Sequence, residues 1–395
     1  MRAIVVGAGI GGLTATLSLR RAGHEVTLVE QSRRLSEIGA GIQLAPNATR
    51  VLRRLDLLDA VAEQATRPAH MSFRTWSDGS EICRYVIGRE AEEEFGAPYL
   101  QVHRADLQRA LAAAVPPDSL RPATAVVGID QDDKAAHVTT ASGERLDADL
   151  VVAADGIRSP ARQWLFGADD AVFSHTAAYR ALLPAAEVAD LDLPEYAGWL
   201  GPGRHVVHYW LRRGELLNVV AVFVTDRSAQ ESWTAQAEPG EQLRTFAGWD
   251  PRLLTVLDRA GQVFRYGIHT RAPLPRWNVG RVTLLGDSAH AMVPFQAQGA
   301  AQAIMDAAVL GDCLTGTAPD EVPDALDRYV RRRAPAATTV QASSARAGDD
   351  YHLPDGPEAD ARNARMVALA AENRFGPHSA AWPVDVLTDG EPSAH

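Results

Sequence analysis

A glycine-rich turn near the N-terminus constrains the fold of this chain more than any other feature. The apolar run at 3–6 predicts a short buried strand, and the segment GAGIGG follows it directly at 7–12. In the spacing Gly7-x-Gly9-x-x-Gly12, the first glycine permits a tight turn, the second lets a pyrophosphate approach the backbone, and the third lets helix and strand pack closely. The helix that follows offers free N–H groups and the positive end of its dipole to phosphates. The sequence therefore predicts a dinucleotide-binding βαβ unit.

The end of the second predicted strand, 25–30, narrows the choice of nucleotide. Glu30 lies where a carboxylate can accept hydrogen bonds from the hydroxyls of a ribose. An acid at that place disfavours a 2′-phosphate and so argues against NADP. FAD and NAD both remain compatible with the turn, because the glycine spacing alone does not separate them.

Composition removes several classes of protein. Lys134 is the only lysine among 39 basic residues and lies in a polar turn, which argues against a lysine Schiff base and excludes a Walker phosphate loop. The net charge of -11 without a basic block argues against nucleic-acid binding. With Cys83 and Cys313 as the only cysteines, we expect no zinc, iron–sulfur or other metal site. No apolar stretch of about 18 residues occurs, so we expect a cytoplasmic protein without a membrane span.

The rest of the chain alternates between strand and helix patterns. The predicted elements are a hairpin at 71–87, β strands over 175–270 with helical periodicity near 235–260, buried strands at 148–154 and 281–286, and a long helix from Gly299. From 321 onward the chain has the pattern of an Ala- and Arg-rich helix. Its arginine run at 331–333 is expected to face solvent.

Two further segments follow predicted strands and contain short polar turns. The first is DGIRSPAR at 155–162, and the second is GDSAHAMVP at 286–294, with QGA at 298–300 opening the next helix. Together with the glycine-rich turn, they resemble the three motifs of the single-component (class A) flavin-dependent aromatic hydroxylases of the p-hydroxybenzoate hydroxylase type. Within that group the chain looks most similar to the salicylate, 3-hydroxybenzoate and 6-hydroxynicotinate hydroxylases. The resemblance covers about residues 1–355.

The resemblance implies an α/β fold with interleaved domains. A Rossmann-like FAD-binding domain of the GR2 type is expected to alternate along the chain with a mixed β-sheet substrate domain, followed by C-terminal helices. The expected ranges are 1–70, 98–174 and 271–325 for the FAD-binding domain, 71–97 and 175–270 for the substrate domain, and 326–395 for the helical segment. We expect the chain to act as a monomer or a homodimer.

The resemblance also assigns residues to FAD. Asp287 at a strand end is expected to hold a ribityl hydroxyl, and a helix N-terminus at 299–300 to offer N–H groups to the flavin pyrimidine. Arg104 and Asp155 are expected near the phosphates, and Asp155 is expected to affect use of the nicotinamide cofactor. Gly41 is expected to touch the flavin ring, beside a loop that Pro294 stiffens. The complete predicted set is Gly7, Gly9, Gly11, Gly12, Glu30, Gly41, Arg104, Asp155, Asp287, Pro294, Gly299 and Ala300.

The reaction that the resemblance implies is an aromatic hydroxylation. Transiently bound NAD(P)H reduces the flavin, O₂ adds at flavin C4a, and the hydroperoxide transfers an OH group to a small electron-rich aromatic, such as a phenolic acid or a related heteroaromatic. The same scaffold is compatible with epoxidation or N-hydroxylation of a natural-product intermediate. It is also compatible with a flavoprotein reductase that inserts no oxygen, or with a flavin-binding regulator that is not an enzyme.

The residues that activate the substrate are expected on the strand HVVHYW at 205–210. Alternation with a period of two puts His205 and Tyr209 on one face and His208 on the other. By resemblance, His205 and Tyr209 face the aromatic ring, with His205 as a general base of pKa near 6.5 and Tyr209 orienting the substrate. A register shift of one residue gives the role of base to His208 instead.

Three other polar residues bear on the site. Gln296 and Arg180 each allow two interpretations, and His290 has only a structural one. Gln296 either hydrogen-bonds the substrate hydroxyl or faces water from its loop. Arg180 either steers an anionic substrate or, more commonly for an arginine, forms a surface ion pair. His290, inside the second polar motif, is expected to be structural.

Overall fold

The computed structural model describes residues 1–35, 40–167, 170–226 and 235–382, so the end of the predicted C-terminal segment, 383–395, lies outside the described residues. The strands are β1 (Arg2–Val6), β2 (Glu25–Val29), β3 (Gly41–Leu44), β4 (His70–Thr75), β5 (Glu81–Val86), β6 (Leu100–His103), β7 (Leu120–Arg121), β8 (Val126–Gln131), β9 (Ala136–Thr140), β10 (Arg145–Ala148), β11 (Leu150–Ala153), β12 (Val172–Pro184), β13 (Tyr196–Gly201), β14 (Arg204–Leu211), β15 (Leu216–Val224), β16 (Phe264–Thr270), β17 (Asn278–Val279) and β18 (Val282–Leu284). The helices are α1 (Ile10–Arg21), α2 (Pro46–Arg54), α3 (Leu58–Ala62), α4 (Arg89–Phe95), α5 (Arg104–Ala114), α6 (Pro160–Phe166), α7 (Glu241–Thr245), α8 (Pro251–Arg259), α9 (Asp287–His290), α10 (Gly299–Leu314), α11 (Val322–Tyr351) and α12 (Pro357–Glu372).

The first sheet has six strands in the order β17-β18-β11-β1-β2-β7. β1 pairs in parallel with β2 and with β11, and β11 pairs in parallel with β18. These central strands are almost continuous apolar runs, because a parallel sheet is buried on both faces. α1 packs on β1 and β2 and against α10. The predicted βαβ unit is thereby confirmed as β1-α1-β2.

The second sheet has seven strands in the order β16-β12-β15-β14-β13-β4-β5. All neighbours run antiparallel except β13 and β4, which are parallel. The predicted hairpin at 71–87 is confirmed as β4 and β5. One face of this sheet packs on α7 and α8 through an apolar cluster that includes Trp199, Phe246 and Leu253. The opposite face is therefore the one available to a ligand.

Helix α11 spans 30 residues and connects the two sheets. It contacts α10 and β17 in its first part and ends at Tyr351, which packs among residues of β4 and β5. Arg333 on this helix is only 1% exposed, so the expectation that 331–333 faces solvent is wrong for this residue. The predicted boundary between 325 and 326 also falls inside the continuous helix.

The architecture confirms the predicted α/β class, with one largely parallel sheet and one mixed sheet joined by C-terminal helices. The division of the chain into an FAD-binding and a substrate domain stays a prediction. Within the part of the chain that the structure describes, no helix is both long and apolar enough to cross a membrane.

Candidate active site

A cavity of about 680 Å³ lies between the carboxyl ends of the first sheet and the free face of the second. This volume is in the range that small-molecule sites occupy, and the edge of an α/β sheet beyond the strand ends is where such folds bind ligands. The predicted FAD-binding residues that line the cavity are Gly9, Gly11, Gly41, Arg104, Asp155, Asp287, Pro294, Gly299 and Ala300. Gly7, Gly12 and Glu30 are not among the lining residues but contact the glycine-rich turn or the strand ends beside it.

The glycine-rich turn is shaped by steric contacts of its own backbone. A Cβ atom at Gly12 would lie 1.8 Å from the carbonyl oxygen of Gly7, and one at Gly7 would lie 2.5 Å from the carbonyl oxygen of Ala154. Gly7 also has a φ of +98°, which a residue with a side chain rarely adopts. At Gly9, by contrast, a Cβ atom would meet nothing within 4 Å. The turn thus packs tightly on the sheet side and is open at Gly9, which lines the cavity.

Glu30 follows β2 directly and is fixed by two backbone donors. The N–H of Ala8 donates to Oε2 and the N–H of Ser32 donates to Oε1, both at 2.8 Å. These bonds hold the carboxylate against the glycine-rich turn. Each carboxylate oxygen keeps a further lone pair for a hydroxyl donor, as a ribose would supply.

The DGIRSPAR segment ends β11 and begins α6. Ser159 caps α6 because its Oγ accepts from the N–H of Arg162 at 2.9 Å. The N–H of Ala161 donates to Oδ2 of Asp155 at 3.1 Å, while Oδ1 is buried and accepts no hydrogen bond from the described residues. Burial raises the pKa of Asp155. An unsatisfied acceptor in a cavity wall indicates a donor on the ligand.

The buried side chain of Arg162 joins the first polar motif to the second. Its Nη1 donates to the carbonyl oxygen of Ala289 at 2.9 Å and to that of Ser288 at 3.3 Å. Arg162 is fully buried. Its role explains why this motif contains an arginine that never reaches the cavity.

The second polar motif is held by a buried carboxylate that sequence reasoning missed. Oδ2 of Asp306 on α10 accepts from the N–H of Gly286 at 3.0 Å and lies 2.6 Å from Nε2 of His290. Its Oδ1 accepts from Nε of Arg333 at 2.7 Å. Burial opposes ionisation, yet His290 and Arg333 hold the pKa of Asp306 below its usual value. The network fixes the turn that presents Asp287 to the cavity, and His290 is structural, as expected.

The residues of this wall fit FAD. The open backbone at Gly9 and the basic side chain of Arg104 offer donors to phosphates. The N-terminus of α10 at Gly299 offers donors to a flavin pyrimidine. The buried oxygen of Asp155 offers an acceptor to a hydroxyl of the cofactor. Arg104 opens α5 and its N–H donates to the carbonyl oxygen of Ala40 at 2.8 Å, which anchors it beside β3. A dinucleotide cofactor therefore matches this half of the cavity.

The opposite wall is the free face of the second sheet. His205, Val207 and Tyr209 of β14 line the cavity, as the alternation of the strand predicts. His208 points to the other face, where its Nδ1 accepts from Nε1 of Trp199 at 3.1 Å. Its Nε2 therefore carries the proton and donates to the carbonyl oxygen of Pro194 at 2.9 Å. The alternative in which His208 replaces His205 is wrong, because His208 lies outside the cavity.

His205 lies in an unusually apolar environment for a histidine. It is 2% exposed, and the rings of Phe295 and Tyr351 pack against it at centroid distances of 5.2 and 5.5 Å. Its Nδ1 lies 2.7 Å from Nε2 of His352. Burial, and next the neighbouring His352, lowers the pKa of His205 well below 6.5. The expectation of a pKa near 6.5 is therefore wrong, because it assumed a solvated imidazole.

Tyr209 is packed against the strand that is expected to touch the flavin. A Cβ atom at Gly41 would lie 2.6 Å from the ring and the hydroxyl of Tyr209, so only glycine fits there. The N–H of Gly41 donates to Oδ1 of Asn218 at 2.8 Å, which fixes β3 above the sheet. Burial raises the pKa of the Tyr209 phenol, which therefore stays protonated.

Gln296 lines the cavity, and its amide oxygen is bonded to α11. Oγ of Ser343 donates to Oε1 of Gln296 at 2.9 Å. The interpretation that Gln296 faces water is therefore wrong for its oxygen. The amide N–H groups are the part of the side chain that can reach a ligand.

Arg180 is buried and does not lie at the surface, where the commoner interpretation placed it. It is 4% exposed, lines the cavity from β12, and its guanidinium carbon lies 5.1 Å from the ring centroid of Tyr266. The cation is thus buried in the cavity wall that the second sheet forms. Sequence reasoning could not place it, because the burial of an arginine depends on neighbouring strands that are distant in sequence.

A cluster of phenols at the far end of the cavity was not foreseen either. The hydroxyls of Tyr99 and Tyr196 donate to Oε1 of Gln43 at 2.6 and 2.7 Å. The ring of Trp382 packs on Tyr99 and closes this end, beside Phe375. No local pattern in the sequence marks these residues, which come from β3, the residue before β6, β13 and the C-terminal segment.

The chain is similar to proteins of known activity over most of its length. The FAD binding domain family matches residues 1–344. A 3-amino-4-hydroxybenzoate 2-monooxygenase of Streptomyces platensis is 39% identical over 366 residues, which cover 92% of each chain. A 6-hydroxynicotinate 3-monooxygenase of Bordetella bronchiseptica is 34% identical, covering 86% of this chain and 89% of that protein.

The fold is also similar to those of solved structures. A salicylate hydroxylase in complex with its substrate matches with a TM-score of 0.81 and 26% identity, covering 97% of both chains. HpxO of Klebsiella pneumoniae, complexed with FAD and uric acid, matches with a TM-score of 0.83 and 25% identity, covering 95% of this chain and 97% of that one. The fold, the glycine-rich turn with its two polar motifs, and the cavity are together those of the class of flavoprotein monooxygenases that act on aromatic compounds. The chain belongs to this FAD-binding family and is an FAD-dependent aromatic monooxygenase.

Proposed function

We propose that this enzyme hydroxylates a small amino- or hydroxy-substituted aromatic acid, with 3-amino-4-hydroxybenzoate as the first candidate. The observation that carries the proposal is that a buried cation, Arg180, and a buried imidazole, His205, lie on the same face of one sheet. An aromatic acid with a phenol has the two groups that this pair recognises. The 39% identical Streptomyces relative has 3-amino-4-hydroxybenzoate in its name, which supports this choice.

The sheet register supports a substrate lying between these two side chains. Val222 pairs with His205, and Val220 pairs with both Val207 and Arg180. Neighbouring strands are about 4.8 Å apart, and β15 lies between β12 and β14. Arg180 is therefore roughly 10 Å from β14, with Val220 and Val222 of β15 between them. Side chains that reach inward from both ends leave room for one aromatic ring. The carboxylate then lies toward Arg180 and the phenol toward His205.

Each residue has a separate task in this proposal. Arg180 holds the carboxylate through a charge-assisted hydrogen bond. His205 accepts the phenol proton and so makes the ring electron-rich, while Tyr209 and the amide N–H groups of Gln296 orient it. When bound, FAD supplies electron transfer from NAD(P)H and the activation of O₂. The apolar covering by Phe295, Phe375 and Trp382 keeps water from the reacting ring.

A direct assay tests this function. The purified flavin-loaded protein is mixed with NADH or NADPH and with 3-amino-4-hydroxybenzoate, 6-hydroxynicotinate, 3-hydroxybenzoate or salicylate. We expect stimulated oxidation of the nicotinamide and a product that has gained one oxygen atom on the ring. Nicotinamide oxidation without any oxygenated product would favour the reductase alternative. An oxygen atom on the amine or in an epoxide would favour the other two.

Three further features stay predictions of this proposal. NAD(P)H is expected to bind transiently, and the choice between NADH and NADPH follows from the same assay. A monomer or homodimer is expected, which sedimentation of the holoenzyme measures. The cytoplasm is the expected location.

A further inference from the structure

A second histidine stands behind His205. His352 directly follows the last residue of α11, and its Nε2 lies 2.7 Å from Nδ1 of His205. The two rings stack with a centroid distance of 4.9 Å and an interplanar angle of 27°. The N–H of Gly203, at the turn before β14, donates to the carbonyl oxygen of His352 at 2.9 Å. The pair is thus fixed by the backbone as well as by its own hydrogen bond.

The hydrogen bond between the rings sets the tautomer of both histidines. One of the two nitrogens must carry a proton and the other must accept it. When Nδ1 of His205 donates, Nε2 of His205 has a free lone pair and can take a proton from a ligand. When Nε2 of His352 donates, Nε2 of His205 carries a proton and cannot act as a base. The tautomer of His352 therefore decides what His205 can do.

We propose that His352 is a positioning residue for the hydroxylation, which holds His205 as a proton acceptor and passes the substrate proton to solvent. This inference rests on the proposed function, in which a phenol lies at His205. His205 is buried, whereas His352 is partly exposed, beside an exposed turn at 354–355. The pair therefore connects the cavity to the surface.

The proton transfer is balanced. The phenol O–H bond breaks as an N–H bond forms at Nε2 of His205. The Nδ1–H bond of His205 breaks as an N–H bond forms at Nε2 of His352, and the proton on Nδ1 of His352 leaves to water. The result is a bound phenolate and one proton in solvent, with both imidazoles neutral. A proton that returns along the same path to the oxygenated product restores the first tautomer.

The surroundings of the pair explain why such a transfer is needed. Burial keeps the pKa of His205 far below neutrality and lowers that of His352 to about 4, so neither ring holds an extra proton at neutral pH. Phe295 from the cavity loop and Tyr351 from α11 pack on the pair, and β5 contributes Tyr85 behind Tyr351. Burial raises the pKa of both tyrosines, which remain neutral. A relay removes the proton without leaving a positive charge on either imidazole.

The test counts protons released on binding. Titration calorimetry of the flavin-loaded protein with 3-amino-4-hydroxybenzoate, in two buffers of different ionisation enthalpy, gives the number of protons released per ligand. At neutral pH the free phenol is protonated, so the wild-type protein is expected to release about one proton. The matched ligand 3-aminobenzoate lacks the phenol, and we expect it to release no proton.

Two variants separate the relay from simple packing. His352→Gln keeps a polar side chain but cannot pass a proton, and His352→Leu removes the hydrogen bond. We expect both to bind ligand and flavin but to release the proton at least about tenfold more slowly, as a pH-indicator dye reports after rapid mixing with the ligand, and the kcat of His352→Gln to fall about tenfold with little change in KM. His70→Gln, at the exposed start of β4, is the control and is expected to behave as wild type.

The outcomes distinguish this inference from the function on which it rests. If both His352 variants release the proton at the wild-type rate and keep the wild-type kcat, the relay is overturned while the hydroxylase stands. A wild-type protein that hydroxylates the substrate but releases no proton on binding also overturns it. If the wild-type protein neither binds nor hydroxylates any phenolic acid, the proposed function itself fails. If His352→Leu does not fold, His352→Gln alone decides.

Discussion

The two walls of the cavity are built in different ways. The cofactor wall is mostly backbone: the turn at 7–12, the N-terminus of α10 and the two polar turns, all close to their own strands. The substrate wall is mostly side chains, with His205 and Arg180 on different strands of one sheet and His352 from the end of α11. A cofactor common to a family can be held by backbone geometry, whereas a particular substrate is recognised by side chains that can change one at a time.

The largest effect is expected when the buried carboxylate that supports the cofactor wall is removed. Asp306→Ala leaves Arg333 buried without its carboxylate, so we expect the free energy of unfolding to fall by about 3–5 kcal/mol. Since pairing lowers the pKa of Asp306 below 3.8, the wild-type contribution is present above that pH and is lost as the pH falls through the lowered value. Urea unfolding of both proteins at neutral and acid pH measures this difference.

Arg365→Ala is the control for this prediction, because it removes an exposed ion pair with Asp350. We expect a loss of less than about 1 kcal/mol for this variant. An equally small loss for Asp306→Ala would show that the buried network does not stabilise the cofactor wall.

The next largest effect contrasts two glycines of the same turn. Gly12→Ala places a Cβ atom against the carbonyl oxygen of Gly7 and is expected to cost about 3 kcal/mol of stability. Gly9→Ala fits the backbone, which has φ -70° there, but puts a methyl group where the pyrophosphate is expected to approach. We expect this variant to fold normally and to bind FAD at least about tenfold more weakly. Thermal unfolding without flavin and fluorescence titration with FAD measure the two effects. If Gly9→Ala lost as much stability as Gly12→Ala and kept its affinity for FAD, the turn would act only in folding.

On the substrate wall, His205→Gln tests the base. We expect kcat for a phenolic acid to fall about 100-fold, with the flavin content unchanged. The matched change on the same strand is His208→Gln, which alters a histidine outside the cavity and is expected to lower stability but not kcat. Steady-state kinetics normalised to bound flavin compares them. If His208→Gln lowers kcat and His205→Gln does not, the assignment of the two faces of β14 is wrong.

The smallest effect is expected for recognition of the carboxylate. Arg180→Met keeps the length and apolar stem of the side chain but removes its charge, so KM for 3-amino-4-hydroxybenzoate is expected to rise about tenfold. The decarboxylated analogue, 2-aminophenol, is expected to show the same KM with both proteins. A parallel rise of KM for both ligands would mean that Arg180 shapes the cavity without contacting the carboxylate.

Sequence reasoning predicted the cofactor wall in more detail than the substrate wall, for a physical reason. The glycine turn and β1-α1-β2 are formed largely by residues close in sequence, so the pattern at 3–30 suffices to predict them, although Gly7 also packs against Ala154. The period of a strand likewise put His205 and Tyr209 on one face. Arg180, His352 and the low pKa of His205 depend on which distant elements pack against each other. Arg333 shows the same limit, because it is buried against Asp306, which is distant in sequence, while the adjacent Arg331 is exposed.

Helix α11 sets a limit on the evolution of this enzyme. Arg333 near its middle supports the cofactor wall and His352 just past its end supports the substrate wall. Each residue of an α-helix turns the chain by about 100° and advances it by about 1.5 Å. One residue inserted or deleted between these two positions would swing His352 out of reach of His205, however well the helix itself tolerated the change. Substitutions on the exposed side of this helix are therefore admissible, whereas changes in its length between the two contacts are not.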